Sequence, residues 1–180
     1  MTSKQFIRSG AYVERMVILV ILWSVASPSH AHLMVEQHGT LNFTDRGAYF
    51  VLSIPVTAFE NVDNNDDRKL SGDELGQHVS TIKRQIQSHV QLYNDAGEQF
   101  PLEGLMLSIE PPDEDPHAPA AYLVALGRFT IDASELSPVL RISFIGDNPN
   151  KQIFRIKATR GTVSRTLTFR PGSDRQPLFN

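Results

Sequence analysis

Cysteine is absent from this sequence of 180 residues. Without thiols the chain cannot form disulfides, thiolate metal sites, iron–sulfur clusters or a cysteine nucleophile. The signatures of common catalytic sites are absent as well, including G-x-S-x-G, H-E-x-x-H, a phosphate-binding loop and a dinucleotide fingerprint. We therefore expect that the protein is not an enzyme.

The sequence also lacks an excess of basic residues. Its formal net charge is −3, and Lys and Arg form no continuous stripe along the chain. Proteins that bind nucleic acids usually concentrate positive charge on one face, so we expect no nucleic-acid partner. Hydrophobic residues make up 41% and charged residues 21% of the chain, which is ordinary for one globular domain of this length.

No apolar run is long enough to cross a bilayer. The longest, "MVILVILWSVA", has about 11 residues, whereas a membrane span needs about 20. It follows the basic residues Lys4, Arg8 and Arg15 and precedes small residues at Ser29 and Ala31, which is typical of a signal peptide that is cleaved after Ala31. We predict that residues 1–31 are a signal peptide and that the protein is periplasmic or secreted, with no membrane span after cleavage. The mature chain would have 14 basic and 19 acidic residues, a net charge of −5.

Short β-rich runs separated by turn residues dominate the rest of the sequence. They comprise residues 39–44, 48–59, 90–94, 102–110, 121–131, 139–146, 152–159 and 162–170. Strands of this length and spacing predict a mainly β fold, specifically an antiparallel β-sandwich. We assign this domain to residues 32–170 and expect residues 171–180 to be a frayed tail, because their composition is mostly polar and rich in Gly and Pro.

One segment has the period of a helix instead. Apolar residues recur at steps of three and four at Leu75, Val79, Ile82, Ile86 and Val90. This spacing predicts one amphipathic helix, inserted between strands, that begins at Gly72 or Asp73 and ends near His89.

The segment "VDNNDDRKLSGDEL" (residues 62–75) precedes and overlaps this helix. Calcium binds six to eight oxygen atoms, and a loop of twelve residues supplies them from side chains at positions 1, 3, 5, 9 and 12 and a carbonyl at position 7. When position 1 is Asp63, the predicted metal ligands are Asp63, Asn65, Asp67, Lys69 (through its backbone), Ser71 and Glu74. Apolar Leu70 at position 8 would attach the loop to the core.

Position 6 of the loop departs from the pattern. It requires a turn with positive φ and is normally Gly, but here it is Arg68. Holding a non-Gly residue in this conformation costs on the order of 1 kcal/mol, and we expect the long side chain to place positive charge near the ion. The sequence therefore predicts weak binding, with a dissociation constant of roughly 10⁻⁵ to 10⁻³ M.

The segment "DNNDDRKLSGDEL" resembles the solitary EF-hand loops of bacterial exported proteins. The order of signal peptide, strands, this loop, a helix and further strands resembles the exported N-terminal domain of HupE/UreJ-like membrane proteins. The resemblance is specific for residues 63–89 and implies the same calcium ligands. It does not imply transport, because no long apolar run follows the signal peptide. We expect the calcium site to act as a structural clip or as a calcium sensor.

Two alternatives remain open from the sequence. Cleavage after Ala31 would leave His32 at the N-terminus, where its amine and imidazole could chelate Cu(II) or nickel with Met34 and His38 nearby. The protein would then be a periplasmic copper- or nickel-binding module. Alternatively, the acidic loop is vestigial and the domain binds a protein partner that the sequence does not identify.

Overall fold

The computed structural model describes residues 37–112, 115–132, 137–147 and 152–179. The expected cleavage site at Ala31 and the residues His32 and Met34 lie outside these ranges. Within them the chain forms nine strands, a short 3₁₀ turn and one α-helix. These elements are β1 (Gln37–Thr44), β2 (Gly47–Pro55), the 3₁₀ turn (Val56–Ala58), α1 (Gly72–His89), β3 (Val90–Tyr93), β4 (Leu102–Ile109), β5 (Tyr122–Phe129), β6 (Val139–Ile142), β7 (Phe154–Arg160), β8 (Val163–Phe169) and β9 (Arg175–Pro177).

The strands form two sheets. The larger has six strands in the order β4-β5-β2-β1-β7-β8, and the smaller has three in the order β3-β6-β9. The mainly β class with one inserted helix is therefore confirmed. Not every pair is antiparallel, however, because β1 runs parallel to β7 with Gln37 opposite Phe154 and Phe43 opposite Arg160. The alternation of apolar and polar residues indicates which face of a strand is buried but not the direction in which the strand runs. The sequence pattern therefore could not distinguish parallel from antiparallel pairing.

Alternating side chains of the two sheets form one shared core. In β2, for example, Phe50 and Leu52 are buried, whereas Tyr49 and Val51 point to the outer face and are exposed. Residues of the smaller sheet meet this inner face. Residues of both sheets surround one small cavity. The larger sheet contributes Leu41, Phe50, Leu52, Phe129 and Ile156, and the smaller sheet contributes Val90, Leu140 and Ile142. Burial of this apolar surface is the main term that stabilises the fold.

Helix α1 begins and ends where the sequence predicts. Ser71 is its N-cap, and Ile82 and Ile86 are fully buried against the core. Val79 lies at the margin of the apolar stripe and remains 36% exposed. At its C-terminus the chain passes directly into β3 at Val90. No helix in the described ranges is long and apolar enough to span a membrane.

The C-terminal segment is not a frayed tail, so that prediction was wrong. Residues Arg175–Pro177 form β9, which pairs with β6 in the smaller sheet. The Leu178 side chain is fully buried, and its N–H donates to the carbonyl of Pro138 at 3.0 Å. The ring of Phe179 packs edge-on against Phe43, with centroids 5.2 Å apart. Two apolar residues at the end of a polar segment therefore anchor it, although its average composition indicates a loop.

His89, the last residue of α1, gives the domain a predicted dependence on pH. Its Nδ1 lies 2.8 Å from the Ser143 hydroxyl, and its ring lies 4.7 Å from the ring of Phe144. Burial lowers the pKa of His89, nearby Arg141 lowers it further, and Glu60 opposes them. The folded state thus resists protonation of this ring.

We expect the free energy of unfolding to decrease as the pH falls through about 6.5, the ordinary pKa of histidine, because below it the unfolded chain binds a proton that the folded chain does not. Urea unfolding between pH 5 and 8 measures this slope. His89→Asn should flatten it, whereas His117→Asn, at an exposed position, should not. Equal slopes in the wild type and His89→Asn would contradict the assignment.

Candidate metal centre

The loop that carries the predicted ligands is fixed to the core at both ends. Val62, just before it, is buried, and Leu70 at position 8 is completely buried. The Leu70 N–H donates to the carbonyl of Ala120 at 2.8 Å, and the Ala120 N–H donates back to Leu70 at 3.0 Å. The six residues 64–69 between these points are exposed. Position 8 therefore attaches the loop to the core, as the sequence predicts.

Asp63, at position 1, is the residue around which the loop turns. Its Oδ2 accepts a hydrogen bond from the Arg68 N–H at 2.7 Å, and its Oδ1 accepts one from the Asn65 N–H at 3.3 Å. One carboxylate thus holds the backbone at positions 3 and 6. The chain between them must curve back toward position 1.

The next two predicted ligands repeat this contact. Asn65 Oδ1 accepts from the Asp67 N–H at 3.2 Å, and Asp67 Oδ1 accepts from the Lys69 N–H at 2.9 Å. Asn65 also donates from Nδ2 to Asp67 Oδ2 at 3.3 Å. Such bonds to a backbone N–H two residues on are typical of Asn and Asp in turns. Positions 1, 3 and 5 are therefore connected by one series of side-chain contacts.

The turn at position 6 has the predicted backbone conformation. Arg68 has φ of 66°, and Asp66 has φ of 58°, both in the left-handed region. The Arg68 side chain, which the sequence predicts to place positive charge near the ion, forms an ion pair. Its Nη2 lies 2.8 Å from each carboxylate oxygen of Asp147, a residue that follows β6. The guanidinium is paired with an acidic residue outside the loop.

Glu74, at position 12, is bonded to the backbone. Its Oε1 accepts from the Asn64 N–H at 2.9 Å, and its Oε2 accepts from the Ser71 N–H at 2.9 Å and the Ser71 hydroxyl at 2.7 Å. Ser71 Oγ in turn accepts from the Glu74 N–H at 3.2 Å, which completes a capping box at the start of α1. The hydrogen bonds from Ser71 and then Asn64 lower the pKa of Glu74 despite its burial, so the carboxylate is ionised at neutral pH.

The predicted ligands thus fall into two groups. Asp63, Asn65 and Asp67 contact one another, and Ser71 contacts Glu74. Lys69 belongs with the first group, because its N–H donates to Asp67. In the part of the chain that the structure describes, no three His, Asp or Glu side chains are placed closely enough to hold a metal ion. The carboxylates of the loop are therefore not gathered into a ready-made cage.

The residues nevertheless fit calcium in two respects. Every predicted ligand offers an oxygen, which a hard cation prefers, and the loop has the left-handed turn at position 6 that a twelve-residue calcium loop requires. What does not fit as it stands is Glu74, because both of its oxygens already accept hydrogen bonds. Glu at position 12 of a calcium loop binds the ion through both oxygens, and Oε2 already accepts two hydrogen bonds, so bidentate binding requires the exchange of at least one of them.

Two features near the loop were missed from the sequence. Asn64, at position 2, is held by α1, because its Oδ1 lies 2.9 Å from His78 Nε2 and its Nδ2 donates to Gln77 at 3.2 Å. The calcium-loop pattern assigns no role to position 2, so the sequence gives no signal for this contact. It gives none for Asp147 either, because Asp147 lies 79 residues from Arg68.

The alternative transition-metal site lies largely outside the described residues. His38, its remaining member, is an exposed residue of β1 that pairs with Ser53 on the outer face of the larger sheet. Neither a protein-family model nor a curated protein matches this chain. The assignment of function therefore depends on the chemistry of the loop.

Proposed function

We propose that this protein binds calcium through the loop that begins at Asp63. The observation that carries the proposal is the double hydrogen bond to the Asp63 carboxylate, which curves the loop around position 1 with Arg68 in the left-handed conformation. A loop that only connects β2 to α1 does not need an oxygen-bearing side chain at each of positions 1, 3, 5, 9 and 12. Calcium binding accounts for both the curvature and the choice of side chains.

In this proposal the site acts as a structural clip. Asp63 and Asp67 supply negative charge, Asn65 and Ser71 supply neutral oxygens, and Lys69 contributes its carbonyl. Since Asp63 follows the buried Val62, and Ser71 caps α1, an ion bound between them would connect the segment after β2 to the start of the helix. The ion would also neutralise repulsion among the acidic residues of the loop.

Glu74 has two roles that exclude each other in part. Without the ion it caps α1 and holds Asn64; with the ion it would provide the ligand at position 12. A hydrogen bond to Oε2 that is given up for bidentate binding would offset part of the binding free energy. This competition, together with the strain at Arg68, supports weak affinity, with a dissociation constant of roughly 10⁻⁵ to 10⁻³ M.

The setting that suits such an affinity is extracytoplasmic, where calcium is abundant. We therefore include in the proposal that residues 1–31 are a signal peptide and that the mature protein is periplasmic or secreted. The resemblance to the exported N-terminal domain of HupE/UreJ-like proteins supports the same setting. A protein partner of the domain is compatible with this function.

The test is thermal unfolding of the purified protein in EDTA, in calcium and in magnesium. At a calcium concentration of 100 times the dissociation constant, we expect binding to add about 2.7 kcal/mol of stability. For a domain of this size this raises the Tm by roughly 5–11 °C. Magnesium should have a much smaller effect, because it demands a smaller, octahedral site.

Two variants with the same change of charge sharpen the test. Asp63→Asn alters a predicted ligand and should abolish most of the calcium-dependent shift. Asp66→Asn removes a negative charge from the same loop at a position that supplies no ligand, and Asn tolerates the φ of 58° found there. It should retain most of the shift.

Equal losses of the calcium-dependent shift in Tm in the two variants would mean that calcium is attracted only by the overall negative charge of the loop and not by specific ligands. No shift at 10 mM calcium in the wild type would refute the proposal. A stabilisation by Cu(II) that requires His32 would then favour the copper- or nickel-binding alternative, and indifference to both metals would favour the protein-interaction alternative.

A further inference from the structure

We propose that Asp147 is a positioning residue that sets the calcium affinity of the loop by holding the guanidinium of Arg68. This inference rests on the proposed function. It concerns a residue outside the loop that supplies no ligand and that the pattern of the loop does not reveal.

The backbone of Arg68 is held beside the site. Its N–H donates to Asp63 at 2.7 Å, and its φ of 66° is the turn that returns the loop toward position 1. A cation on this residue is therefore tethered next to two predicted ligands, Asp63 and Asp67. A mobile guanidinium would be attracted to their carboxylates and would compete with calcium for them.

Asp147 removes this competition by binding the guanidinium elsewhere. Arg68 Nη2 lies 2.8 Å from both carboxylate oxygens of Asp147. The two side chains, with Asp67 and Lys69, line a cleft of about 280 Å³ beside the loop. Since Asp147 follows β6, the pair also attaches the tip of the loop to a segment that continues from the smaller sheet.

The pair is exposed, and this limits the size of the effect. The two side chains retain 64% and 51% of their accessible surface, so water and salt screen the charges. Exposed pairs of this kind change equilibria by up to about fivefold. We therefore expect Asp147→Asn to raise the calcium dissociation constant by about two- to fivefold, with the effect decreasing at high salt.

Asp147→Asn also removes a negative charge near the loop, which by itself weakens calcium binding. A double-mutant cycle with Arg68→Gly separates the two effects. Arg68→Gly removes the cation and relieves the left-handed strain, so it should lower the dissociation constant. In that background Asp147 has no guanidinium to hold, and Asp147→Asn should change the dissociation constant by less than about twofold.

The experiment is titration of calcium into the wild type, the two single variants and the double variant, with calorimetry as the readout. Asp66→Asn serves as a control for loss of one loop charge, and its effect should be the same with Arg or Gly at position 68. A rise in the calcium dissociation constant on Asp147→Asn that is larger with Arg than with Gly at position 68 supports the inference. If Asp147→Asn changed the calcium dissociation constant by the same factor with Arg or Gly at position 68, the inference would be overturned and the proposed function would remain intact. Absence of calcium binding in the wild type would overturn both.

Discussion

Replacing Leu70 by alanine is expected to lower the free energy of unfolding by about 2–5 kcal/mol. The side chain is completely buried, and its backbone exchanges two hydrogen bonds with Ala120. Truncation leaves a cavity at the point where the loop is attached to the core. Because the proposed ligands on both sides of Leu70 depend on this attachment, the proposed calcium-dependent rise in Tm should also decrease.

Urea unfolding in EDTA measures the first effect, and the same experiment in calcium measures the second. Leu126→Ala is the matched control, because this leucine lies on the outer face of β5 and is 38% exposed. It should cost less than about 1 kcal/mol and leave the calcium response unchanged. A similar cost for the two variants would show that Leu70 is not an anchor of the loop.

Replacing Leu178 by alanine should also cost about 2–5 kcal/mol, although the residue stands near the end of the sequence. Its side chain is fully buried, and its N–H bonds to Pro138 across the end of the smaller sheet. Loss of this anchor should also loosen β9, which pairs with β6 through only three residues.

Chemical denaturation measures this cost, and hydrogen exchange at the Leu178 N–H reports the loosening of the strand. Val163→Ala provides a control on the larger sheet, because Val163 is 58% exposed. A loss no larger than that of the control would restore the interpretation of residues 171–180 as a tail.

The sequence contained enough information to predict the elements whose signals are local. The apolar spacing in α1 and the position of Ser71 determine where the helix lies and begins, and both depend on residues within a few turns. The left-handed turn at Arg68 and the burial of Leu70 were predictable for the same reason, since a twelve-residue pattern is self-contained.

The failures concern contacts between distant parts of the chain. No local pattern relates the segments that these contacts join. They are the parallel pairing of β1 with β7, the packing of Leu178 into the core and the pairing of Arg68 with Asp147. The hydrogen bonds of Glu74 are a different case. Serine followed three residues later by glutamate is a capping signal as well as part of the calcium pattern, and only coordinates show which role the carboxylate fills.

The parallel pairing of β1 with β7 has a consequence for the order of folding. β1 lies between β2 and β7, so its second edge stays unpaired until residues 154–160 have been synthesised. Closing so long a loop is entropically costly, and native pairings of this kind form slowly. The larger sheet is therefore expected to assemble late, after most of the chain has left the ribosome. Until then the second edge of β1 remains available for pairing with other chains, so slow folding prolongs the period in which the protein can aggregate.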